Sequence, residues 1–150
     1  MKTRFSYLAM FALISLGIVL TTSCNDDDED VAANKVKTEV MTAFQEMYPN
    51  VNAMWEVERG MYKAEFYSNG CEVEAWYQMD GTWVMTVTDL HVSMLPAAVA
   101  DRVKTDYPDR YIDDCDLVEK PTEKYYQLEL DKQGAADIYV KISENGDILP

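Results

Sequence analysis

The chain has one histidine, His91, which lies two residues after Asp89 and two before Ser93. Ser, His and Asp can together activate a nucleophile, but only when the serine is held against the imidazole and an oxyanion site faces it. Nothing around Ser93 supplies that context, and a surface histidine is the simpler reading of His91. Zinc would need more His or Cys ligands than the chain offers. A haem iron could use His91 with a methionine, but no attachment motif accompanies it. Asp109, Asp113, Asp114 and Asp116 leave room for a hard cation, yet their spacing matches no calcium loop, and a solvated turn accounts for them. Glu72 and Glu74 face one way on a strand, as two glycosidase carboxylates could; alternate acids on an exposed strand also simply keep a surface soluble. No glycine-rich phosphate loop is present. The sequence therefore predicts no catalytic residue, no metal and no cofactor.

Few elements are needed to position these groups. Val36, Val40, Phe44 and Tyr48 recur every four residues until Pro49 stops them. Leu95, Val99, Val103 and Tyr107 repeat the series 59 residues later, until Pro108. Each series is the apolar stripe of an amphipathic helix, ended by a proline and then by turn-forming Asn50 or Asp109. Alternating, strand-like runs follow each helix: 62–66, 71–77 and 83–87 in the first copy, 126–130, 138–142 and 148–149 in the second. Ser68-Asn69-Gly70, Asp80-Gly81, Lys132-Gln133-Gly134 and Asn145-Gly146 mark the turns. A further strand is expected near residues 53–58 and 111–119. The fold class is α+β, a tandem repeat of a helix plus about four antiparallel strands (35–90 and 94–150). Both helices pack on one face of a mostly antiparallel sheet.

Period-2 alternation then assigns the faces. Tyr62, Ala64, Phe66, Val73, Ala75, Tyr77, Tyr126, Leu128, Leu130, Ile138, Val140 and Ile142 should face the helices. Lys63, Glu65, Tyr67, Glu72, Glu74, Trp76, Tyr125, Gln127, Glu129, Asp137, Tyr139 and Lys141 should face the other way, where nothing remains to cover them. Tyr67, Trp76, Tyr125 and Tyr139 among Glu65, Glu74, Glu129 and Lys141 thus form the candidate binding face, because aromatic rings dominate binding hot spots. The alternative is that these rings pack on strand neighbours and long charged side chains, stiffening the sheet. Of Trp55 and Trp83, at least one should be core.

The start of the chain specifies location. Lys2 and Arg4 precede an apolar run from Tyr7 to Leu20, and Thr22-Ser23-Cys24 follows. The run, about 14 residues long, suits a signal peptide (1–23) better than a membrane span, which needs ~20. A cleavage point at Cys24 makes that cysteine the lipid attachment site of a lipoprotein, held by several acyl chains. Residues 24–34 form an acidic tether, with Asn25 followed by five acids; the like charges keep it solvated. The run resembles the export signal of surface lipoproteins in one group of Gram-negative bacteria, which would place the protein on the outer face of the outer membrane; the alternative faces the periplasm. Loss of Lys2 and Arg4 from 13 basic residues leaves 11 against 27 acids, a net charge of −16. That excludes nucleic acid and anionic lipid as partners and leaves contact with membrane to the anchor alone. Export would permit a disulfide between Cys71 and Cys115, and free buried thiols are equally compatible with the sequence.

Several short motifs carry a resemblance. They are Tyr48-Pro49, Trp55-Glu56-Val57-Glu58, Tyr62 through Phe66, Asp80-Gly81-Thr82-Trp83, Leu95-Pro96, Tyr107-Pro108 and Asn145-Gly146. In order and spacing, residues 35–150 resemble the PepSY-like family of exported bacterial lipoproteins, also described as β-lactamase-inhibitor-like. The resemblance implies two helices backing a mostly antiparallel sheet and a non-enzymatic role. No inhibitory loop maps onto this sequence. The expected function is a lipid-anchored envelope module that binds a protein or peptide, an inhibitor of an exported enzyme being one form of it. The alternative is a sensor of a small ligand or cation.

Overall fold

The computed structural model describes residues 29–150. The signal segment, Cys24 and the beginning of the tether lie outside the described residues. Nine strands form one antiparallel sheet in simple sequence order: β1 (Glu29–Asp30), β2 (Met54–Glu58), β3 (Met61–Ser68), β4 (Cys71–Tyr77), β5 (Trp83–Asp89), β6 (Tyr111–Glu119), β7 (Lys124–Asp131), β8 (Ile138–Ile142) and β9 (Ile148–Leu149). Helix α1 (Thr38–Met47) precedes β2, and α2 (Ala97–Asp106) lies between β5 and β6. The architecture is α+β, and its element order is consistent with two copies of helix plus four strands.

The helices end where the sequence places their stops. Tyr48 and Tyr107 leave helical geometry at φ −128° and −130°, and each donates its backbone N–H to the carbonyl four residues earlier. A proline then follows in both places. The predicted stripes face the sheet: Val40 and Phe44 from α1, Val99 and Val103 from α2, are at most 3% exposed. All twelve strand residues assigned to the helix side are there, either buried or, for Ile138, packed at the margin of the core. Trp55 is core and Trp83 packs half-buried against it.

Two turns lock helices to sheet in the same way. Gly81, between β4 and β5, and Gly146, between β8 and β9, have φ +89° and +87°. A side chain at Gly81 would bring its Cβ to 2.8 Å from the Glu39 carbonyl oxygen of α1; at Gly146 it would come to 2.8 Å from that of Ala98 in α2. Glycine is required at both turns because the conformation is left-handed and the helix backbone is too close.

One boundary differs from expectation. Glu29 and Asp30, read as tether, pair with Val57 and Glu56 as an edge strand. Both side chains stay exposed. The charge keeps them solvated, as predicted, but an open strand edge offers their backbone hydrogen-bond partners that a local reading cannot see.

Candidate functional site

The face turned away from the helices is uneven. Tyr67 and Tyr139 are 70% and 49% exposed, whereas Trp76 and Tyr125 are each 4% exposed. The expectation of four exposed rings is therefore corrected for Trp76 and Tyr125. Lys63 Nζ lies 5.5 Å from the Trp76 ring centroid, and Lys120 and Lys141 lie 5.4 and 5.1 Å from that of Tyr125. Tyr125 also joins Val87 and Val118 in a small apolar cluster flanked by Met85 and Leu149. A long twisted sheet crowds one face, and flexible charged side chains fold their stems over the rings beneath. For these two residues the stiffening alternative describes what is seen.

Lys63 organises the first half of this face. It is 8% exposed and pairs with Glu56 and Glu65 at 2.8 Å and with Glu58 at 3.6 Å. Burial favours its neutral form, but the hydrogen bonds to Glu56 and Glu65 outweigh that and move its pKa upward. Glu74 sits opposite Glu65 in register. Burial raises the Glu74 carboxyl's pKa, partly offset by Lys63. Its Oε2 and the Trp76 indole N–H are both buried without a well-formed hydrogen bond, although the two groups are close enough for the indole to favour the carboxylate slightly.

The seam between halves is acidic. Strands β5 and β6 pair over four positions and place Asp89 opposite Asp116. Asp116 faces Gln127, which faces Lys141; Asp114 faces Glu129, which faces Tyr139. Continuing the β4–β5 register one residue past Val73 and Thr88 brings Glu72 opposite Asp89. Glu72 also accepts a hydrogen bond from the Tyr67 hydroxyl at 3.1 Å. Burial, and then the charges of Asp114, Asp89 and Glu74, push the Asp116 carboxyl up to about 7. Burial likewise raises that of Glu129.

At one end of the seam a cleft of about 510 Å³ opens. Tyr67, Glu72, Asp89, His91, Val92, Met94, Asp113 and Asp114 line it, together with the buried Cys71 and Cys115. Both thiols are free. They lie on β4 and β6 with β5 between them, so two strand spacings, roughly 10 Å, separate the backbones and exceed disulfide reach. The Cys115 thiol donates to the Leu90 carbonyl at 3.0 Å, and burial pushes its pKa up to about 12, which leaves it protonated and unreactive. His91 is exposed, and its Nδ1 lies 2.7 Å from Ser93 Oγ while accepting weakly from the Ser93 N–H. That arrangement caps the short 3-10 turn Val92–Met94. Among the described residues no group of three or more His, Cys, Asp or Glu side chains is arranged to hold a metal ion.

Of the candidate binding-face residues the cleft gathers only Tyr67, joined by Glu72 from the same predicted side. Glu65, Glu74 and Trp76 belong to the Lys63 region, and Tyr125, Glu129, Tyr139 and Lys141 to β7 and β8. The sequence reading missed Val92 and Met94, which sit in what looked like a plain linker. It also missed the Asp89–Asp116 pair. Hairpin turns fix register across β3–β4, but a whole helix separates β5 from β6, so no local turn announces which residues meet.

The model of a family described as "Putative beta-lactamase-inhibitor-like, PepSY-like" matches residues 60–150. A DUF2874 family protein from Bacteroides ovatus shares 26% identity at a TM-score of 0.70, over 75% of this chain and 84% of its own. A BLIP-like protein from Bacteroides fragilis shares 26% identity at 0.70, over 76% and 83%. A structure from Bacteroides eggerthii, described as "putative periplasmic proteins", shares the fold at 23% identity and 0.68, over 77% and 86%. No curated protein matches the chain.

Proposed function

The chain belongs to the PepSY-like, β-lactamase-inhibitor-like family, and from that premise we propose a lipid-anchored, non-catalytic envelope protein that binds a protein or peptide partner. The observation that carries the reading is the cleft at the seam, where exposed Tyr67, Val92 and Met94 stand beside a row of carboxylates. Exposed aromatic and thioether groups around a concavity are what a docking partner buries. The Cys115 thiol is held protonated, and the histidine caps a turn, so neither is set up as a nucleophile or its base. Anchoring through Cys24 rests on the signal-like start of the chain, and an envelope location agrees with the name of the B. eggerthii structure. Inhibition of an exported enzyme remains one form of such binding.

The test is affinity capture from envelope extracts with a Cys24→Ala chain that lacks lipid. A partner retained by this chain and lost with Tyr67→Ala plus Met94→Ala, at unchanged melting temperature, supports the reading. Equal capture by both moves the interface elsewhere. Mass spectrometry of the anchored protein should show acyl chains on Cys24, and an unmodified thiol there would remove the anchor from the proposal.

A further inference from the structure

Two soft donor atoms meet at the cleft. The Cys71 thiol donates to the Met94 thioether, with 3.7 Å between the sulfurs. Both residues sit on fixed backbone. Cys71 opens β4 opposite Ser68, directly after the β3–β4 turn. Met94 ends the 3-10 turn Val92–Met94, and its N–H donates to the His91 carbonyl at 2.8 Å. Cys71 is 7% exposed and Met94 50%, so the pair is dry on the thiol side and open to solvent on the thioether side.

A thiol and a thioether make a weak hydrogen bond and a good ligand pair. Thiolate and thioether sulfur together select soft cations, Cu(I) foremost. An ion ~2.3 Å from each sulfur, the usual metal–thiolate length, would see the two at an angle of roughly 110°, which lies between trigonal and tetrahedral geometry. Harder ions find less here. Structural zinc closes a shell of four ligands, and among the described residues no three His, Cys, Asp or Glu side chains converge on one point. The second thiol of the cleft, Cys115, is committed: it donates to the Leu90 carbonyl, and burial pushes its pKa up to about 12. His91 lines the cleft as well, with its Nδ1 held at Ser93. The site therefore rests on Cys71 and Met94.

We propose that Cys71 and Met94 bind one Cu(I) ion at the mouth of the cleft. Binding forms one bond from the metal to Cys71 Sγ and one to Met94 Sδ. The Cys71 proton leaves to solvent and the metal stays monovalent, so no oxidant or reductant takes part. The site goes beyond the binding reading and needs no protein partner.

Anaerobic titration of the Cys24→Ala chain, with Cu(I) delivered as its bicinchoninate complex, tests it. The chain should take up about one equivalent and release about one proton. Cys71→Ser should weaken uptake at least about a hundredfold, since even the loss of an outer-shell partner can cost that much. Met94→Leu conserves volume at a half-exposed position, keeps the fold, and should weaken uptake about tenfold or more. Met54→Leu removes a more exposed thioether from β2 and should leave uptake unchanged. Absence of uptake overturns the proposal, as does uptake that survives Cys71→Ser or Met94→Leu. An equal loss with Met54→Leu, or Zn(II) binding as tightly as Cu(I), overturns it too. Should Cys71→Ser lower the melting temperature, Met94→Leu decides alone. None of these outcomes bears on envelope capture, so either proposal can fail while the other stands.

Discussion

The two halves of the sheet carry the same elements on different cores. Under α1 the space is filled by rings: Phe44 meets Trp55 at 5.1 Å and Phe66 at 5.5 Å, both edge to face, and Tyr62 and Tyr77 complete the group. Under α2 the filling is aliphatic, with Val99, Val103, Leu128, Leu130, Val140 and Ile142 around Cys115 and Tyr126. Yet the helix stops, the five-residue β4–β5 and β8–β9 loops and the glycine contacts with the helix backbone coincide. The frame is thus held by pattern and turn chemistry, and the particular apolar side chains are interchangeable within it. The opposite face differs more deeply. In the first half Lys63 gathers the carboxylates around itself; at the seam the carboxylates of Asp89, Asp114 and Asp116 crowd one another. The cleft opens where that crowding begins.

The largest effects of substitution lie in the two cores. Phe44→Ala should cost about 3–5 kcal/mol and Leu128→Ala about 2–5, the ring losing its edge-to-face contacts as well as its area. Because one sheet runs through both halves, urea denaturation of each variant should remain a single transition with unchanged slope. Two separated transitions would mean that the halves fold independently.

A smaller effect sharpens the electrostatic contrast. The folded pKa of Asp116 lies above the unfolded value of about 3.9. The protonated form is therefore the one that the fold prefers. Its stabilisation is complete below pH ~4 and is lost as pH rises towards about 7. Asp116→Asn should flatten that decline and raise stability at pH 8 by at most roughly 4 kcal/mol, since the pKa rises by about three and each unit is worth about 1.4. Thermal melts from pH 4 to 8 check it, and a parallel decline in the variant would remove Asp116 as its source.

The smallest effect addresses the equivalence of the turns. Gly81→Ala and Gly146→Ala should each destabilise by about 1–3 kcal/mol, because both force a Cβ against helix backbone at positive φ. A large cost at one turn and none at the other would show that only one helix depends on this lock.

Most of the frame was legible because its signals are local. The four-residue stripes ending in Tyr-Pro gave the helices, and alternation between turn residues placed every strand from β2 to β9 within a few residues. The candidate site was legible only in part. The exposure of Tyr67 follows from alternation and from the Ser68-Asn69-Gly70 turn, which puts it at a hairpin end. The burial of Trp76 and Tyr125 does not follow from alternation, which assigns a side to a residue and says nothing about what folds over it. Their cover comes from Lys63 and Lys141 on neighbouring strands and from Lys120 in the β6–β7 turn.

By itself, then, the sequence determined which residues turn toward the helices, where each element stops, and that the surface is strongly acidic. Each of these follows from periodicity, turn chemistry or charge count along the chain. Tertiary structure alone decided that Asp89 meets Asp116, that two rings are buried and two are not, and that a cleft opens beside Tyr67 and Met94. Those outcomes depend on the register between strands separated by a whole helix and on the twist of a nine-stranded sheet, and no local stretch of sequence encodes either.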